Sequence, residues 1–289
     1  MGGALRVRAL RRTARCGGGA VTAGSSGESR KYAAPAAAAA AETLLLLART
    51  SGGVSVAEIA TRTGRTKSLI YRVVAELESR SFVVRGPAGD YRLGVAAVEL
   101  GGAFSASVPV LASVRQVLRR LAEFTRETAN LGILQGDQVL YLAREEGDLS
   151  VVSVSRVGKL LPANTTAIGK ALLADRSDDE VREIFAGRLA EHGELSPLTR
   201  RSRTSIDDLL QDLGEARAAG YSEEHGETVV GRCCLGVTVP FGERGATDAA
   251  ISVSISDHRF GPMRDEILNR LLDAKRDLVT EHRARAAIG

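Results

Sequence analysis

The sequence predicts an α+β protein with a small N-terminal winged helix-turn-helix and a larger C-terminal domain, joined by a helical connector. Two observations support this prediction. Between residues 33 and 95, helix-forming segments separated by a glycine turn precede two short strand-like segments. Beyond residue 110, strand-like and helix-like segments occur in separate groups, which is typical of domains built on an antiparallel sheet. A chain of 289 residues is long enough for two domains that each bury a core.

The charge of the chain is unevenly distributed. Residues 1–95 contain 15 Lys and Arg against 6 Asp and Glu, a net charge of +9, whereas residues 96–289 contain 24 against 29, a net charge of −5. A basic N-terminal third suggests a part that binds a polyanion. Much of this excess lies in residues 1–32, because residues 33–93 carry a net charge of only +3. Charge alone is therefore a weak indicator of function.

Residues 1–32 are rich in Arg, Gly and Ser and are predicted to form a disordered basic tail. They lack the long apolar core and the cleavage pattern of a targeting peptide. The apolar run AAAAAAETLLLLA is too short to span a bilayer and contains Glu42. The three cysteines form no disulfide framework and fit a reducing compartment. We therefore expect a cytoplasmic protein without a membrane segment.

Residues 33–95 contain the pattern of a helix-turn-helix. A helix rich in Ala and Leu is predicted over residues 36–49, and a Ser-Gly-Gly turn ends it. Ser55 and Glu58 then match a capping box at the start of a second, short helix. Gly64 supplies a turn, after which a third helix begins.

The third helix is predicted to be two-sided. At about 100° per residue, its apolar residues fall on one side and its polar residues on the other. The apolar side consists of Leu69, Ile70, Val73, Val74 and Leu77. The polar side presents Lys67, Ser68, Tyr71 and Arg72, which are side chains that can contact bases and phosphates. An ordinary solvated helix face would have the same pattern. This helix alone therefore does not distinguish a DNA-binding face from a solvated one.

The following segment, FVVRGPAGDYRLG, favours nucleic-acid binding. Its strand-like parts, residues 82–84 and 91–93, are joined by a turn that contains Gly and Pro, and together they predict a wing. A wing after a helix-turn-helix makes a winged-helix module, which outweighs the solvated-face interpretation. The residues that we predict to contact double-stranded DNA are Thr66, Lys67, Ser68, Tyr71, Arg72, Arg85 and Arg92.

Residues 96–109 are predicted to be a linker, because they are rich in Gly, Ala and Ser. Residues 110–289 are predicted to form the second domain, which begins with an amphipathic helix that packs on its own domain or on a partner subunit. The strand-like segments that follow are NLGILQ, QVLYLAR, SVVSVSR, CCLGVTVP and AAISVSIS. Further helices are predicted near residues 166–175, 178–186 and 204–219, and from about Pro262 to Ala286.

The Gly-Lys pair in PANTTAIGKALL raises the question of an NTPase phosphate-binding loop. Asn164 stands where the first Gly of that motif is required, and Ala171 stands where a hydroxyl would hold Mg²⁺. The sequence also contains no nucleophile elbow, no HExxH motif and no dinucleotide fingerprint, and its four histidines are scattered. We therefore predict that the protein is not an enzyme and needs no cofactor.

A metal or redox sensor is an alternative reading. Glu223, Glu224, His225, Cys233 and Cys234 are close in sequence and have side chains that bind zinc or become oxidised. Adjacent cysteines, however, match no usual CxxC spacing, and a free Cys is commonly a core residue. The favoured prediction is that no metal is bound.

Several distant segments resemble the IclR-type (isocitrate lyase regulator) transcription factors in the same order. These are TGRTKSLIYRVVAELE, the wing YRLG, VGKLLPANTTAIGKALLA, GYSEEHGETVVGRCCLG and AAISVSIS. The resemblance covers residues 33–286. It implies a winged helix followed by a GAF-like effector domain that binds a small metabolite. It also implies a homo-oligomer, either a dimer or a dimer of dimers.

The resemblance further implies an effector pocket. Ala167, Ile168 and Gly169 would offer main-chain groups at a helix start, which suits an anionic ligand. The residues that fall where the family places polar ligand contacts are Glu224, Cys234, Ser252 and Ser254. Glu224 would repel an acid, and this favours a neutral or hydroxylated effector. Lys170 is expected either to extend its ammonium group to the solvent or to form a structural ion pair, and not to act in catalysis.

The sequence departs from the family pattern at three places. Leu69 stands where Thr or Ser is usual, Ser81 stands where Gly is usual before the wing, and HGETVVGRCC replaces a segment that usually contains Asn and Pro. The predicted function is a ligand-responsive, DNA-binding regulator of transcription, repressor or activator, that binds palindromic operators.

Overall fold

The computed structural model describes residues 34–108, 110–150, 154–241 and 249–287. The predicted basic tail, residues 1–32, therefore lies outside the described residues. Within the described part, one hydrophobic cluster lies in the N-terminal domain and two others lie on opposite faces of a C-terminal sheet. The α+β class predicted from the sequence is confirmed.

Three helices form most of the N-terminal domain: α1 (Pro35–Arg49), α2 (Val56–Thr63) and α3 (Lys67–Ser79). The hydroxyl of Ser55 accepts a hydrogen bond from the N–H of Glu58, so Ser55 is confirmed as the N-cap of α2. The carboxylate of Glu58 pairs with Arg62 and forms no return bond to Ser55, so the predicted capping box is incomplete. A capping side chain satisfies one of the main-chain N–H groups that the first helical turn leaves without a partner.

The turn between α2 and α3 depends on Gly64, which ends α2 with a left-handed φ of 65°. Beyond this turn, α3 buries its predicted apolar side against α1 and α2, while Leu69 is only half-buried. The buried residues of α3 are Ile70, Val73, Val74 and Leu77. This packing determines which side of α3 faces the solvent.

The wing consists of β1 (Val83–Arg85) and β2 (Tyr91–Leu93), which pair antiparallel. Val54, between α1 and α2, exchanges two main-chain hydrogen bonds with Tyr91, at 3.0 and 2.8 Å. The side chains of Val83 and Tyr91 are buried in the same cluster as the helices. The wing is therefore fixed relative to α3 by packing as well as by main-chain hydrogen bonds.

Ser81 joins α3 to the wing in an unusual conformation, with a φ of 60°. Glycine adopts this left-handed region without steric cost, whereas a residue with a Cβ atom loses roughly 1–2 kcal/mol. The main chain is closely packed here, because a Cβ added to Gly94 would lie 2.2 Å from the carbonyl oxygen of Ser81. The strained backbone gives a physical reason for the glycine that is usual at this position.

Two helices follow the wing, α4 (Ala96–Ser107) and α5 (Val110–Thr125). They differ in burial. α4 buries only Ala96 among its described residues, although its composition is apolar. α5 buries a continuous stripe that consists of Leu111, Val114, Val117, Leu118, Leu121, Ala122 and Thr125. In this structure α5 packs on its own domain. This is one of the two alternatives that its periodicity left open.

The described strands of the C-terminal domain form one antiparallel sheet in the order β5-β4-β3-β8-β7-β6. Their bounds are β3 Thr128–Gln135, β4 Gln138–Glu146, β5 Leu160–Pro162, β6 Ser222–His225, β7 Arg232–Val239 and β8 Ala249–Ser256. The longest strands, β3, β4, β7 and β8, lie in the middle of the sheet, and the two short strands lie at its edges.

Four helices complete the domain: α6 (Ala167–Ala174), α7 (Asp178–His192), α8 (Ile206–Ala219) and α9 (Asp257–Ala286). A single turn of 3-10 helix, Ala163–Thr165, leads into α6. α5 and α9 cover one face of the sheet, and α6, α7 and α8 cover the other.

Some element boundaries differ from the predictions. The segment predicted as a strand at residues 150–156 is described only in part, and Val154–Arg156 lie outside any strand. The strand that pairs with β4 is β5 instead. The last helix begins at Asp257, whereas the prediction placed its start near Pro262. Proline is common at helix starts, but Pro262 lies inside this helix and was therefore a misleading signal. α7 continues to His192, where Gly193 ends it.

The alternation of side chains along β7 and β8 divides the domain into two layers. Successive residues of a strand point to opposite faces. On β8, Ile251, Val253 and Ile255 pack under α5 and α9, whereas Ser252 and Ser254 face the other side. β7 follows the same rule, with its large apolar residues toward α5 and α9 and smaller or polar residues opposite. The face opposite α5 and α9 therefore has room for other groups.

α6 lies unusually close to the sheet and is buried along its whole length. A Cβ added to Gly236 of β7 would lie 2.8 Å from the carbonyl oxygen of Ala167. Likewise, a Cβ added to Gly169 would lie 2.2 Å from the carbonyl oxygen of Ala163. The glycine of the Gly-Lys pair is thus required by close packing and not by a phosphate.

Lys170, the other member of that pair, is 3% exposed. Its ammonium group lies 2.8 Å from the carboxylate of Asp212 on α8 and 2.5 Å from that of Glu227. Burial opposes ionisation of Asp212, but hydrogen bonds from Lys170 and Arg203 hold its pKa below the ordinary value. Burial keeps the pKa of Glu227 above its ordinary value. The expected structural pairing of Lys170 is confirmed.

Replacing Lys170 should destabilise the domain. Lys170→Met removes the cation that pairs with the buried carboxylate of Glu227, while Asp212 keeps its ion pair with Arg203, and breaking a buried pair in this way typically costs about 3–5 kcal/mol. The matched control is Arg182→Met, because the ion pair of Arg182 with Asp207 is exposed and should contribute less than about 1 kcal/mol. Urea unfolding followed by circular dichroism measures both. Equal stability of the two variants would contradict the assigned role.

Ser81→Gly should stabilise the N-terminal domain by up to about 1 kcal/mol, because it removes the cost of a left-handed serine. The same change at Ser79, in the last turn of α3, should destabilise the domain by a similar amount, since glycine weakens a regular helix. Thermal unfolding of both variants distinguishes the two effects. A lower melting temperature for Ser81→Gly than for the wild type would contradict this interpretation.

Candidate functional site

The exposed side of α3 carries polar and cationic side chains. Lys67, Ser68 and Arg72 are exposed, and Tyr71 is 61% exposed. Among the described residues, neither Lys67 nor Arg72 forms an ion pair. Both cations are therefore available to an external polyanion.

Cations next to α3 are used differently. Arg65 makes a two-pronged ion pair with Glu42 of α1, with N–O distances of 2.9 and 2.7 Å. Arg62 lies 3.3 Å from Glu58 within α2. The pair of Arg65 joins the turn before α3 to α1, whereas the exposed pair of Arg62 lies within one helix. The hydroxyl of Thr66 accepts a hydrogen bond from the N–H of Leu69, so this predicted DNA contact also caps α3.

The wing carries two further exposed cations. Arg85 on β1 forms no ion pair within the described residues, whereas Arg92 on β2 lies 3.4 Å from Asp90. Asp90 itself lies against Gly53 and Gly86, where an added Cβ would meet its carboxylate at 1.3 and 2.5 Å. Of the two wing arginines, Arg85 is therefore the less engaged.

A cavity of about 300 Å³ lies in the C-terminal domain between the sheet, the start of α6 and the loop before β7. Its apolar lining consists of Val154, Leu161, Ala167, Ile168, Val229 and Val230. Its polar lining consists of Asn130, Tyr141, Ser155, Thr166, Glu224, Thr228, Arg232, Cys234, Ser252, Ser254 and Ser256, with Gly231 at the edge. A volume near 300 Å³ is at the small end of ligand pockets in proteins.

Several polar groups that line this cavity have no protein partner within the described residues. The hydroxyls of Tyr141 and Ser252 form no hydrogen bond within the described residues, although these residues are 5% and 4% exposed. Asn130 uses its carbonyl oxygen to accept from Ser155 at 3.1 Å, and its amide nitrogen has no such partner. Because these groups face the cavity, a molecule bound there can form hydrogen bonds with them.

The start of α6 adds main-chain donors. Within the described residues, the N–H groups of Ala167 and Ile168 have no hydrogen-bond acceptor, and both residues line the cavity. Gly169 is placed differently, because its N–H donates to the hydroxyl of Thr166 at 3.0 Å and it does not line the cavity. We therefore leave Gly169 out of the ligand-binding set.

Glu224 lines the cavity, but protein donors already occupy its carboxylate. Its Oε1 accepts from the thiol of Cys234 at 2.8 Å. Its Oε2 accepts from the N–H groups of Glu227 and Thr228 at 2.8 and 3.3 Å. Burial raises the pKa of Glu224. Glu224 therefore anchors the loop before β7 and repels an anionic ligand less than a free carboxylate would.

The five residues considered for a metal or redox site are split between the two faces of the sheet. Glu224 and Cys234 face the cavity, whereas His225 lies 2.9 Å from Glu223 and 3.4 Å from Cys233 on the other side. Burial raises the pKa of Cys233 to about 11 and that of Cys234 well above its ordinary value. Across the described residues, no three His, Cys, Asp or Glu side chains are close enough to hold one metal ion.

Sequence reasoning missed several lining residues, of which Arg232 is the most informative. Its guanidinium lies beside Ser254 of the cavity wall and 2.8 Å from Glu127. Asn130 and Tyr141 were also missed, although each places a polar group in an otherwise apolar strand pattern. That interruption was the available signal for both residues.

In the part of the chain that the structure describes, no single helix is long and apolar enough to cross a bilayer. Only α4 and α5 taken together reach the required length and composition.

Comparisons with known proteins agree with the fold. The sequence profile of the bacterial transcriptional regulator IclR C-terminal domain matches residues 103–280. The profile of the IclR helix-turn-helix domain matches residues 37–87. The two matches are consecutive and include both α3 and the residues that line the cavity.

Individual relatives agree with the profiles. The HTH-type transcriptional regulator KdgR of Escherichia coli (strain K12) is 32% identical over 212 residues, which are 73% of this chain and 78% of KdgR. The transcriptional repressor IclR of the same strain is 31% identical over 227 residues, 75% and 81% of the two chains. A crystal structure of an IclR transcriptional regulator from Alicyclobacillus acidocaldarius has a TM-score of 0.73 at 27% identity, covering 88% of this chain and all of that one. The chain therefore belongs to the IclR family of bacterial transcriptional regulators.

Proposed function

We propose that this regulator binds duplex DNA through α3 and the wing, and that a small metabolite in the C-terminal cavity controls this binding. The observation that supports the proposal is the presence of two separate surfaces in one chain. One is a helix face with unpaired cations, and the other is a cavity lined by polar groups that have no protein partner within the described residues. Regulators of transcription in this family provide the context for both.

For DNA binding, Lys67, Tyr71 and Arg72 of α3 would enter the major groove, and Arg85 would contact the phosphate backbone. Arg can make bidentate hydrogen bonds to guanine, whereas Lys and hydroxyls more often contact phosphates. Thr66, Ser68 and Arg92 would contribute backbone contacts at the edges of this surface. Residues 34–95 would thus form the DNA-binding domain, which acts in the cytoplasm.

For ligand binding, the chemistry of the cavity favours a small hydroxylated organic acid. The unpaired N–H groups of Ala167 and Ile168 at a helix start suit a carboxylate. The hydroxyls of Tyr141 and Ser252 and the amide of Asn130 suit the hydroxyl groups of the same ligand. Residues 110–287 would form the effector-binding domain.

The exposed apolar residues of α4 support a homo-oligomer. Val95 and Val98 are both 77% exposed, and Leu100 and Phe104 are 58% and 48% exposed. A second copy of the chain that packs on this helix would bury these side chains. A twofold dimer would also place two α3 helices on half-sites about one turn of DNA apart, which corresponds to a palindromic operator.

Lys67→Ala with Arg72→Ala should weaken DNA binding at least tenfold, because each lost base contact costs about 1–3 kcal/mol. The probe is the duplex that the wild-type protein selects from a random-sequence library, with affinity measured by fluorescence anisotropy. The slope of log K against log salt should also become less steep, by about one unit for each phosphate contact that is lost.

Arg80→Ala is the matched control for the DNA test. Arg80 ends α3, is equally cationic and exposed, and is paired with Glu76. We expect its effect on affinity to be within about twofold. If the double variant binds as tightly as Arg80→Ala, or if no duplex is selected at all, the DNA-binding surface is wrongly assigned.

Tyr141→Phe with Ser252→Ala should weaken ligand binding by about fivefold to 150-fold, since two hydrogen bonds are lost and each contributes roughly 0.5–1.5 kcal/mol. The test panel contains glycolate, lactate, glycerate and gluconate, with acetate and propionate as acids that lack hydroxyls. Binding is measured as thermal stabilisation and then by calorimetry. We expect only hydroxylated acids to stabilise the wild type.

Thr238→Val is the matched control for the ligand test. It removes a buried hydroxyl from β7 that lies outside the cavity and contacts Lys275. Its ligand affinity should equal that of the wild type. Stabilisation by acetate and gluconate alike, or none by any hydroxy acid, would contradict the proposed ligand class.

A further inference from the structure

We propose that Arg232 and Glu127 transmit occupancy of the cavity to the end of α5. This inference rests on the proposed function, since it describes how a ligand in that cavity would act on DNA binding. It is carried by one chain of contacts. Arg232 belongs to the cavity wall, Glu127 lies just beyond α5, and the two side chains form a buried ion pair.

On the cavity side, Arg232 is held by β8. Its Nη2 donates to the carbonyl oxygen of Ser254 at 2.7 Å and to the hydroxyl of Ser254 at 3.3 Å. Both residues line the cavity, and the side chain of Arg232 is 12% exposed. An anionic group that enters next to Ser254 would therefore meet the guanidinium of Arg232.

On the other side, Glu127 is 2% exposed and gathers several donors. Its Oε2 lies 2.8 Å from Nη1 of Arg232, which is an ion pair by distance, although neither atom forms an aligned hydrogen bond within the described residues. Its Oε1 accepts from Nη1 of Arg259 at 3.1 Å and from the hydroxyl of Ser256 at 3.2 Å. Ser256 precedes α9, and Arg259 lies in the first turn of that helix. One carboxylate thus connects the cavity wall, the start of α9 and the segment that follows α5.

The segment around Glu127 fixes the end of α5. Arg259 also donates to the carbonyl oxygen of Thr125, the last residue of α5. Arg126 has a left-handed φ of 60°, and its carbonyl oxygen accepts from the N–H of Leu149 at 2.8 Å. α5 is the first helix after α4, and α4 follows the wing. A change at Glu127 therefore acts on the element that leads back to the DNA-binding domain.

A ligand whose carboxylate binds at the start of α6 would act through another acceptor oxygen that reaches Ser254 and competes with Glu127 for Arg232. Glu127 now shares two guanidinium groups, and a buried carboxylate that loses one of its cations becomes strongly destabilised. The end of α5 would then favour an arrangement in which Glu127 is more solvated. The ligand shifts the balance between this arrangement of α5 and the present one by as much as its affinity differs between them. DNA affinity changes with that balance.

A carboxylate built into the cavity wall tests this relay without knowledge of the natural ligand. Ser254→Asp places an anion beside Arg232, and Ser254→Asn provides a neutral side chain of the same size at the same position. Val154→Asp places a carboxylate on the cavity lining at a residue that forms no bond with Arg232. Hydrogen exchange read by mass spectrometry follows the peptide that covers Leu121–Thr128.

We expect Ser254→Asp to exchange at least tenfold faster in this peptide than Ser254→Asn, and Val154→Asp to exchange as the wild type does. The dissociation constant for the selected duplex should differ at least about fivefold between the Asp and Asn variants. When each variant is combined with Glu127→Gln, Ser254→Asp and Ser254→Asn should show the same hydrogen exchange in this peptide. The carboxylate of Glu127, which competes for Arg232, is then absent.

Each outcome is decisive. Equal exchange in the Asp and Asn variants of Ser254, or an Asp effect that persists with Glu127→Gln, overturns the relay. Should Ser254→Asp not fold, Glu127→Gln alone must accelerate exchange in the same peptide, and unchanged exchange there overturns the relay. If no duplex is selected, the proposed function fails while the exchange data still decide whether the relay exists.

Discussion

The structure of the C-terminal domain depends on one constraint, the opposite orientation of successive side chains along β7 and β8. Large apolar residues such as Ile251 and Leu235 pack beneath α5 and α9, and this leaves serine, cysteine and glycine on the opposite face. Small side chains permit the close approach of α6 at Gly236, and the hydroxyls line the cavity beside it. The same alternation therefore builds the core and the candidate ligand site.

The loop before β7 and the helix α6 complete this arrangement. The loop before β7 is held on its cavity side by Glu224 and on its other side by the pairing of Glu227 with Lys170. Gly169 and Lys170, which match only the Gly-Lys pair of a phosphate-binding loop, thus serve packing and charge pairing. The position of α6 and the position of the loop above the cavity are consequently determined together.

Much of the fold was predictable from local patterns. The cap at Ser55, the turn at Gly64 and the two sides of α3 depend on neighbouring residues only, so sequence periodicity was sufficient. β5 was missed because it is three residues long, and the start of α9 was misplaced because Pro262 lies inside the helix. Arg232 could not be identified, since its importance comes from Glu127, which is distant in sequence and adjacent only through sheet pairing.

The ends of the sheet have a consequence for assembly. β5 presents three residues and β6 presents four, so the outermost strands offer few main-chain donors and acceptors to another polypeptide. Proteins avoid uncontrolled association when such borders are short. Within the described residues, these short borders favour self-association through the side-chain surfaces of helices over pairing between the edges of two sheets.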